Sequence, residues 1–162
     1  MSDRQITALA RRLGRACAKR GVTLVTAESC TGGGVAEAIT RIPGSSAWFD
    51  RGFVTYSYES KPELLGVRQD TLERHGAVSE ETAREMARGA LRRSGAGVSV
   101  AITGIAGPGG GTKAKPVGLV CFAWAVRGGP VETWSTRFPG GRGAVRASSI
   151  TVAIQGLIEI LR

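Results

Sequence analysis

Chemistry in this chain is concentrated in a few short stretches. The first is Thr26-Ala27-Glu28-Ser29-Cys30-Thr31-Gly32-Gly33-Gly34. It falls between a predicted strand and a predicted helix, where open α/β sheets place their ligand sites. A serine hydroxyl at such a turn becomes a nucleophile when a base takes its proton. The backbone of Thr31, Gly32 and Gly33 leads into the start of a helix, whose free N–H groups can hold a phosphate or stabilise an oxyanion. The plainer alternative is that Ser29 or Thr31 only caps that helix.

The base has few candidates. Tyr56 ends a predicted strand and Lys61 opens a predicted helix, so the turn between them can bring both side chains to the sheet edge that carries Ser29. A lysine serves as base only when burial or a neighbouring cation lowers its pKa well below about 10.4. On its own, Lys61 reads first as a surface lysine. The sole histidine, His75, sits in an exposed-looking Glu-Arg-His-Gly stretch and is a poor member of a Ser-His-Asp set. Two further features suit an anion. A glycine-rich stretch at 104–111, preceded by Thr103 and including Gly104 and Gly107, matches neither a Walker A loop nor a dinucleotide fingerprint. Arg142 and Arg146 stand four apart at the start of the last predicted helix, on one face, where cations oppose the helix dipole unless an anion joins them.

The elements that must position these groups follow from periodicity. Ile6, Leu9, Ala10, Leu13 and Cys17 recur at helical spacing over 4–20, and Gly21 ends the run. A β-branched strand is predicted over 22–27, a polar turn over 28–34 and a helix over 35–41. A strand at 48–56 and a short helix at 59–65 follow. Asp70 is a candidate cap for a turn at 71–75, and Ser79 for a helix at 80–94. A buried strand at 98–103 leads to a loop at 104–116, strands at 117–126 and 131–138 joined through Gly128-Gly129-Pro130, and a final helix at 141–161. Alternating helices and strands predict an α/β fold: a mixed, mostly parallel sheet covered on both faces, closed by a C-terminal antiparallel hairpin.

Composition bounds the function. With 162 residues, 42% hydrophobic and 22% charged, the chain suits one globular domain over 1–162. No apolar run approaches the length of a membrane span, and no signal-peptide core follows Met1. Three widely spaced cysteines give neither a disulfide framework nor zinc spacing, so a reducing cytoplasm, no metal and no cofactor are expected. The net charge of +9 attracts anions without naming them, and Arg11, Arg15 and Lys19 form a basic stripe on the first helix. A basic nucleic-acid-binding module is therefore the alternative to an enzyme. Only 6% of the residues are aromatic, and no aromatic-basic stacking motif is present, which makes nucleic acid a poor partner. The sequence leaves a homo-oligomer open.

Taken together, Thr26-Ala27-Glu28-Ser29-Cys30-Thr31-Gly32-Gly33, Gly44-Ser45-Ser46-Ala47-Trp48-Phe49, Gly52-Phe53-Val54-Thr55-Tyr56-Ser57, His75-Gly76-Ala77-Val78-Ser79, Gly104-Ile105-Ala106-Gly107-Pro108 and Lys115-Pro116-Val117-Gly118 closely resemble the CinA C-terminal domain family. The likeness runs from about residue 5 to 160. It implies a three-layer α/β/α fold, and hydrolysis of the carboxamide of nicotinamide mononucleotide to nicotinate mononucleotide and ammonia, a step of pyridine-nucleotide salvage. It also implies a serine, tyrosine and lysine site, which falls on Ser29, Tyr56 and Lys61. Two positions depart from the family pattern. Tyr58 stands where the family usually has Asn, and Gly141 stands where it tends to have Asp.

Overall fold

The computed structural model describes residues 2–162. Helix α1 spans Asp3–Arg20, opened by a reciprocal cap between Ser2 and Gln5 and ended by Gly21 in the left-handed region, φ 62°. Strand β1 (Leu24–Glu28), helix α2 (Gly34–Thr40), a short 3-10 turn (Ser45–Ala47) and strand β2 (Phe49–Val54) follow. Helices α3 (Ser60–Leu65), α4 (Gln69–His75) and α5 (Glu80–Arg92) lead to strand β3 (Val98–Gly104). Strands β4 (Leu119–Val126) and β5 (Val131–Arg137) and helix α6 (Arg142–Ile160) complete the chain.

The five strands form one sheet in the order β2-β1-β3-β4-β5. β1 pairs in parallel with both β2 and β3, while β4 runs antiparallel to β3 and to β5. Four strands thus point one way and β4 alone is reversed, so the sheet is mixed and ends in the expected hairpin. Alternation along the strands sorts their side chains into two layers. Leu24, Val100, Ile102, Val120 and Phe122 pack with α1, α2 and α6. Val25, Ala27, Ala101, Cys121, Ala123 and Ala125 pack with α3, α4 and α5. The second face is nearly all small residues, so α5, with Ala83, Ala87 and Ala90 buried, sits close to the sheet. Trp124 Nε1 donates to the Ala153 carbonyl at 3.0 Å, which ties α6 to β4.

This topology builds the site. The C-terminal ends of β1, β2 and β3 are level, with Glu28 opposite both Val54 and Ile102. β5 points the same way, so the turn into α6 emerges at that same edge. The segments 29–33, 55–59 and 105–118 and the first turn of α6 therefore meet at one rim.

Two expectations shift and one holds. Glu28 belongs to β1, not to the following turn. Ser79 caps α5 as expected, accepting from the Thr82 amide at 3.1 Å. Asp70 does not cap α4: it lies inside the first turn, and the Glu85 carboxylate takes the Arg68 amide at 2.7 Å and the Thr71 hydroxyl at 2.5 Å instead. A carboxylate from a neighbouring helix displaces the local cap. Among the described residues, no helix is long and apolar enough to cross a membrane.

Candidate active site

Ser29 follows β1 directly, and its amide donates to the Ile102 carbonyl at 2.9 Å, so the turn that carries it hangs from the central strands. Gly32 and Gly33 take φ of 57° and 90°, which lets the chain double back into α2 within a few residues. The turn is closed by the Gly32 amide donating to the Ser29 carbonyl and the Gly34 amide donating to the Thr31 carbonyl, both at 2.9 Å.

Lys61 arrives from the other side of β2. The turn after β2 is held by Ser60, whose amide donates to Ser57 Oγ at 3.1 Å and whose hydroxyl donates to the Ser57 carbonyl at 2.8 Å. α3 begins there, and a side chain in a first turn leans back toward the helix start. That lean carries the amine of Lys61 under the rim: only 1% of the residue is exposed, against 8% of Ser29. Nζ stands 3.2 Å from Ser29 Oγ, 2.7 Å from the Thr55 carbonyl oxygen and 3.3 Å from the Ser57 carbonyl oxygen. No carboxylate pairs with it among the described residues.

Burial pushes Lys61 below its ordinary pKa. Nζ donates to Ser29 Oγ and to the two carbonyls; in the neutral form two N–H groups can keep the carbonyls while the lone pair is free to accept the Ser29 proton. A general base must stand within about 2.6–3.2 Å of the proton donor, and Nζ stands at that distance from Ser29 Oγ. The neighbouring thiol is no rival nucleophile, since burial pushes Cys30 up to about 12 and keeps it protonated. His75 ends α4 beside Glu81, 3.7 Å away, and does not bond Ser29.

Tyr56 is 56% exposed, and its phenol oxygen accepts from Arg142 Nη2 at 2.8 Å. Neither Ser29 nor Lys61 is among its hydrogen-bond partners, so the serine-lysine contact is direct. Arg142 also donates through Nη1 to the Gly107 carbonyl at 2.9 Å. One guanidinium thereby links the β2 turn, the glycine-rich loop and α6. Arg146, one turn further along, donates to the Thr31 carbonyl at 3.1 Å. Neither arginine has a carboxylate partner among the described residues. Two cations at a helix start, bonded only to neutral oxygens, leave an unanswered charge at the rim.

Other predicted anion-binding groups are placed differently. Thr103 is 1% exposed inside β3, and its hydroxyl donates to the Ala77 carbonyl at 2.8 Å. Gly104 is the last residue of β3, paired with Val120, and not part of the loop. The start of α2 is not free either. The buried carboxylate of Glu28 accepts from the Val35 amide at 2.8 Å and the Ala36 amide at 3.0 Å. A phosphate would meet a carboxylate there, so the start of α2 is not open to an anion. Among the three predicted oxyanion donors, the Gly32 amide is engaged by Ser29, while those of Thr31 and Gly33 have no acceptor among the described residues. A cleft of about 380 Å³ lies behind the turn, lined by Gly32, Gly33, Glu37, Arg41, Arg146 and Ile150 among others. Ser29 and Lys61 do not line it, so it does not set the reacting position.

Relatives carry the same architecture. The CinA C-terminal domain model matches residues 6–161. The chain belongs to the CinA C-terminal domain family. It is 52% identical to the nicotinamide-nucleotide amidohydrolase PncC of Escherichia coli K12 over 97% of this chain and 95% of that protein. It is 50% identical to the PncC of Pseudomonas putida over 96% of each chain. Among solved structures, a competence/damage-inducible protein of Agrobacterium tumefaciens superposes with a TM-score of 0.96 at 48% identity, over 100% of this chain and 98% of that one.

Proposed function

We propose that this chain is a nicotinamide-nucleotide amidohydrolase that opens the carboxamide of nicotinamide mononucleotide by a serine-lysine mechanism. Half-identity over nearly the full length to amidohydrolases of that name supports the reaction. The 3.2 Å contact between a buried, charge-depressed amine and Ser29 Oγ carries the mechanism.

Ser29 Oγ attacks the carboxamide carbon while Lys61 Nζ takes its proton. The amides of Thr31 and Gly33 face the developing oxyanion. Lys61 then returns the proton to the departing nitrogen, the C–N bond breaks, and ammonia leaves an ester on Ser29. Water, deprotonated by the same amine, cleaves that ester and restores the hydroxyl. The cationic pyridinium of the substrate favours the neutral form of a nearby lysine. Tyr56 with Arg142, Arg146 and Gly107 orient the phosphate end, and Tyr56 is a binding group, not a proton relay. The reaction needs no cofactor. We place the enzyme, as one domain over 1–162, in the cytoplasm, where pyridine-nucleotide salvage operates; its cysteines are free and buried.

Ammonia release from nicotinamide mononucleotide by Ser29→Ala tests this reading. The variant should fold normally and release ammonia slower by several orders of magnitude. Wild-type turnover by that variant would remove Ser29 from the reaction.

A further inference from the structure

Glu28 is a fully buried acid that the mechanism above does not use. Its carboxylate receives four hydrogen bonds. Oε1 accepts from Thr31 Oγ1 and the Val35 amide, both at 2.8 Å. Oε2 accepts from the Ala36 amide at 3.0 Å and Thr26 Oγ1 at 3.2 Å. All four partners present donors, a set that two carboxylate oxygens satisfy and an amide does not. No cation pairs with it among the described residues.

These bonds fall on both ends of the nucleophile turn. α2 has no side-chain cap of its own, because its N-cap is Gly33. Glu28 supplies the missing acceptor from the strand before the turn, and so pins Thr31 and the first turn of α2 to β1. Its backbone acts on the other partner: the Glu28 carbonyl accepts from the Thr55 amide at 2.8 Å, and the Thr55 carbonyl accepts from Lys61 Nζ at 2.7 Å. One residue thus sits between the two supports of the reacting pair. It does this without touching the amine, since the partners of Lys61 are Ser29 and two carbonyls.

We infer that Glu28 is the positioning residue of this site: its carboxylate locks the 29–33 turn so that Ser29 Oγ stays within reach of Lys61. This inference rests on the reading of Ser29 as nucleophile. In Glu28→Gln, the amide nitrogen must replace one oxygen, and a backbone N–H of α2 then faces a donor. The turn loses an anchor, and small displacements of a reacting atom cost about 100-fold in rate.

The test compares wild type, Glu28→Gln and Ser29→Ala in two assays. One measures kcat and KM for the mononucleotide. The other measures the rate and extent of labelling by a small serine-directed sulfonyl fluoride, which needs the serine-lysine pair but no substrate contacts. For Glu28→Gln, kcat and the labelling rate should fall together, by about 100-fold, with KM unchanged and labelling still running to completion. Wild-type labelling and kcat would overturn the inference. So would incomplete labelling in which the labelled fraction reacts at the wild-type rate, because Glu28 would then only keep the chain folded. If Glu28→Gln does not fold, Thr31→Val removes a single donor and should lower the same two constants together by about tenfold; unchanged constants overturn the inference. Ser29→Ala separates the two claims: turnover and labelling that survive in that variant defeat the nucleophile reading itself, whatever Glu28→Gln does.

Discussion

Replacing Lys61 with Met keeps a four-atom apolar stem, with sulfur in place of Cδ, and removes the amine, and the consequences for rate and stability run in different directions. The amine bonds the Thr55 and Ser57 carbonyls, the first of them buried, so its loss costs about 1 kcal/mol for each bond. Against this, the wild-type chain must keep a group with a depressed pKa in a site 1% exposed, whereas Met is at home there. The sign follows from linkage. The folded chain holds the Lys61 proton less tightly than the unfolded chain, whose lysine titrates near 10.4. Between the two values the unfolded state binds more protons, so wild-type stability rises with pH across that window, by about 1.4 kcal/mol for each unit of depression. Below the folded value the penalty is present in full. Lys61→Met lacks this rise. Denaturant unfolding should therefore find the variant within about 2 kcal/mol of wild type at pH 7 and progressively less stable than wild type as pH increases. Activity moves much further. Loss of the base lowers kcat by about 10²–10⁴-fold. In the wild type, kcat/KM should climb as pH rises through the depressed pKa, because only the neutral amine accepts the Ser29 proton. A Lys61→Met enzyme that keeps wild-type kcat, or a stability difference that stays flat with pH, refutes this reasoning.

Other expectations follow from single contacts. Arg142→Gln removes the guanidinium that joins Tyr56 and Gly107, and should raise KM for the mononucleotide about tenfold to a hundredfold while leaving the dephosphorylated nucleoside unaffected; equal effects on both would move the phosphate elsewhere. Among the described residues, the Thr55 hydroxyl is buried without a partner. Thr55→Val should accordingly gain about 1 kcal/mol in unfolding free energy with kcat retained, and a loss would reveal a partner for that oxygen. Gly89→Ala places a methyl 2.0 Å from the Leu65 carbonyl oxygen, where α5 crosses the end of α3. It should cost about 1–3 kcal/mol and lower kcat as well, since the helix that must shift carries Lys61; an unchanged Tm contradicts that packing.

Much of this was legible because local pattern and tertiary outcome agree. The apolar spacing from Ile6 to Cys17 with Gly21 behind it, the capping Ser79 and the hairpin at Gly128-Gly129 all appear where periodicity and turn chemistry put them. Strands run to a common edge in a parallel α/β sheet, which made a meeting of the segments after β1 and β2 legible, but only the family resemblance singled out Lys61 from among the surface lysines. What escaped depends on partners distant in sequence. A glutamate after Thr26-Ala27 looks like the start of a polar turn, and only the fold shows it buried, its oxygens accepting from the Val35 and Ala36 amides. Thr103 borders a glycine-rich loop and looks available, yet strand register turns it inward toward Ala77. Asp70 is displaced as a cap by Glu85, from another helix. The hairpin was expected, but that β4, and not β5, is its reversed strand was hidden. The β4 sequence matches a buried strand of either direction, and the 105–118 loop closes through the Gly118 amide to the Ile105 carbonyl, at 2.8 Å, and not through a helix.

The covalent role of Ser29 is the claim on which the account turns, and acid quenching during turnover tests it most directly. Mass analysis of the peptide carrying Ser29 should find a fraction esterified by the nicotinate nucleotide acyl group, absent from Ser29→Ala, which releases no ammonia above background. An unmodified peptide at every quench time, together with steady ammonia release from Ser29→Ala, would contradict it.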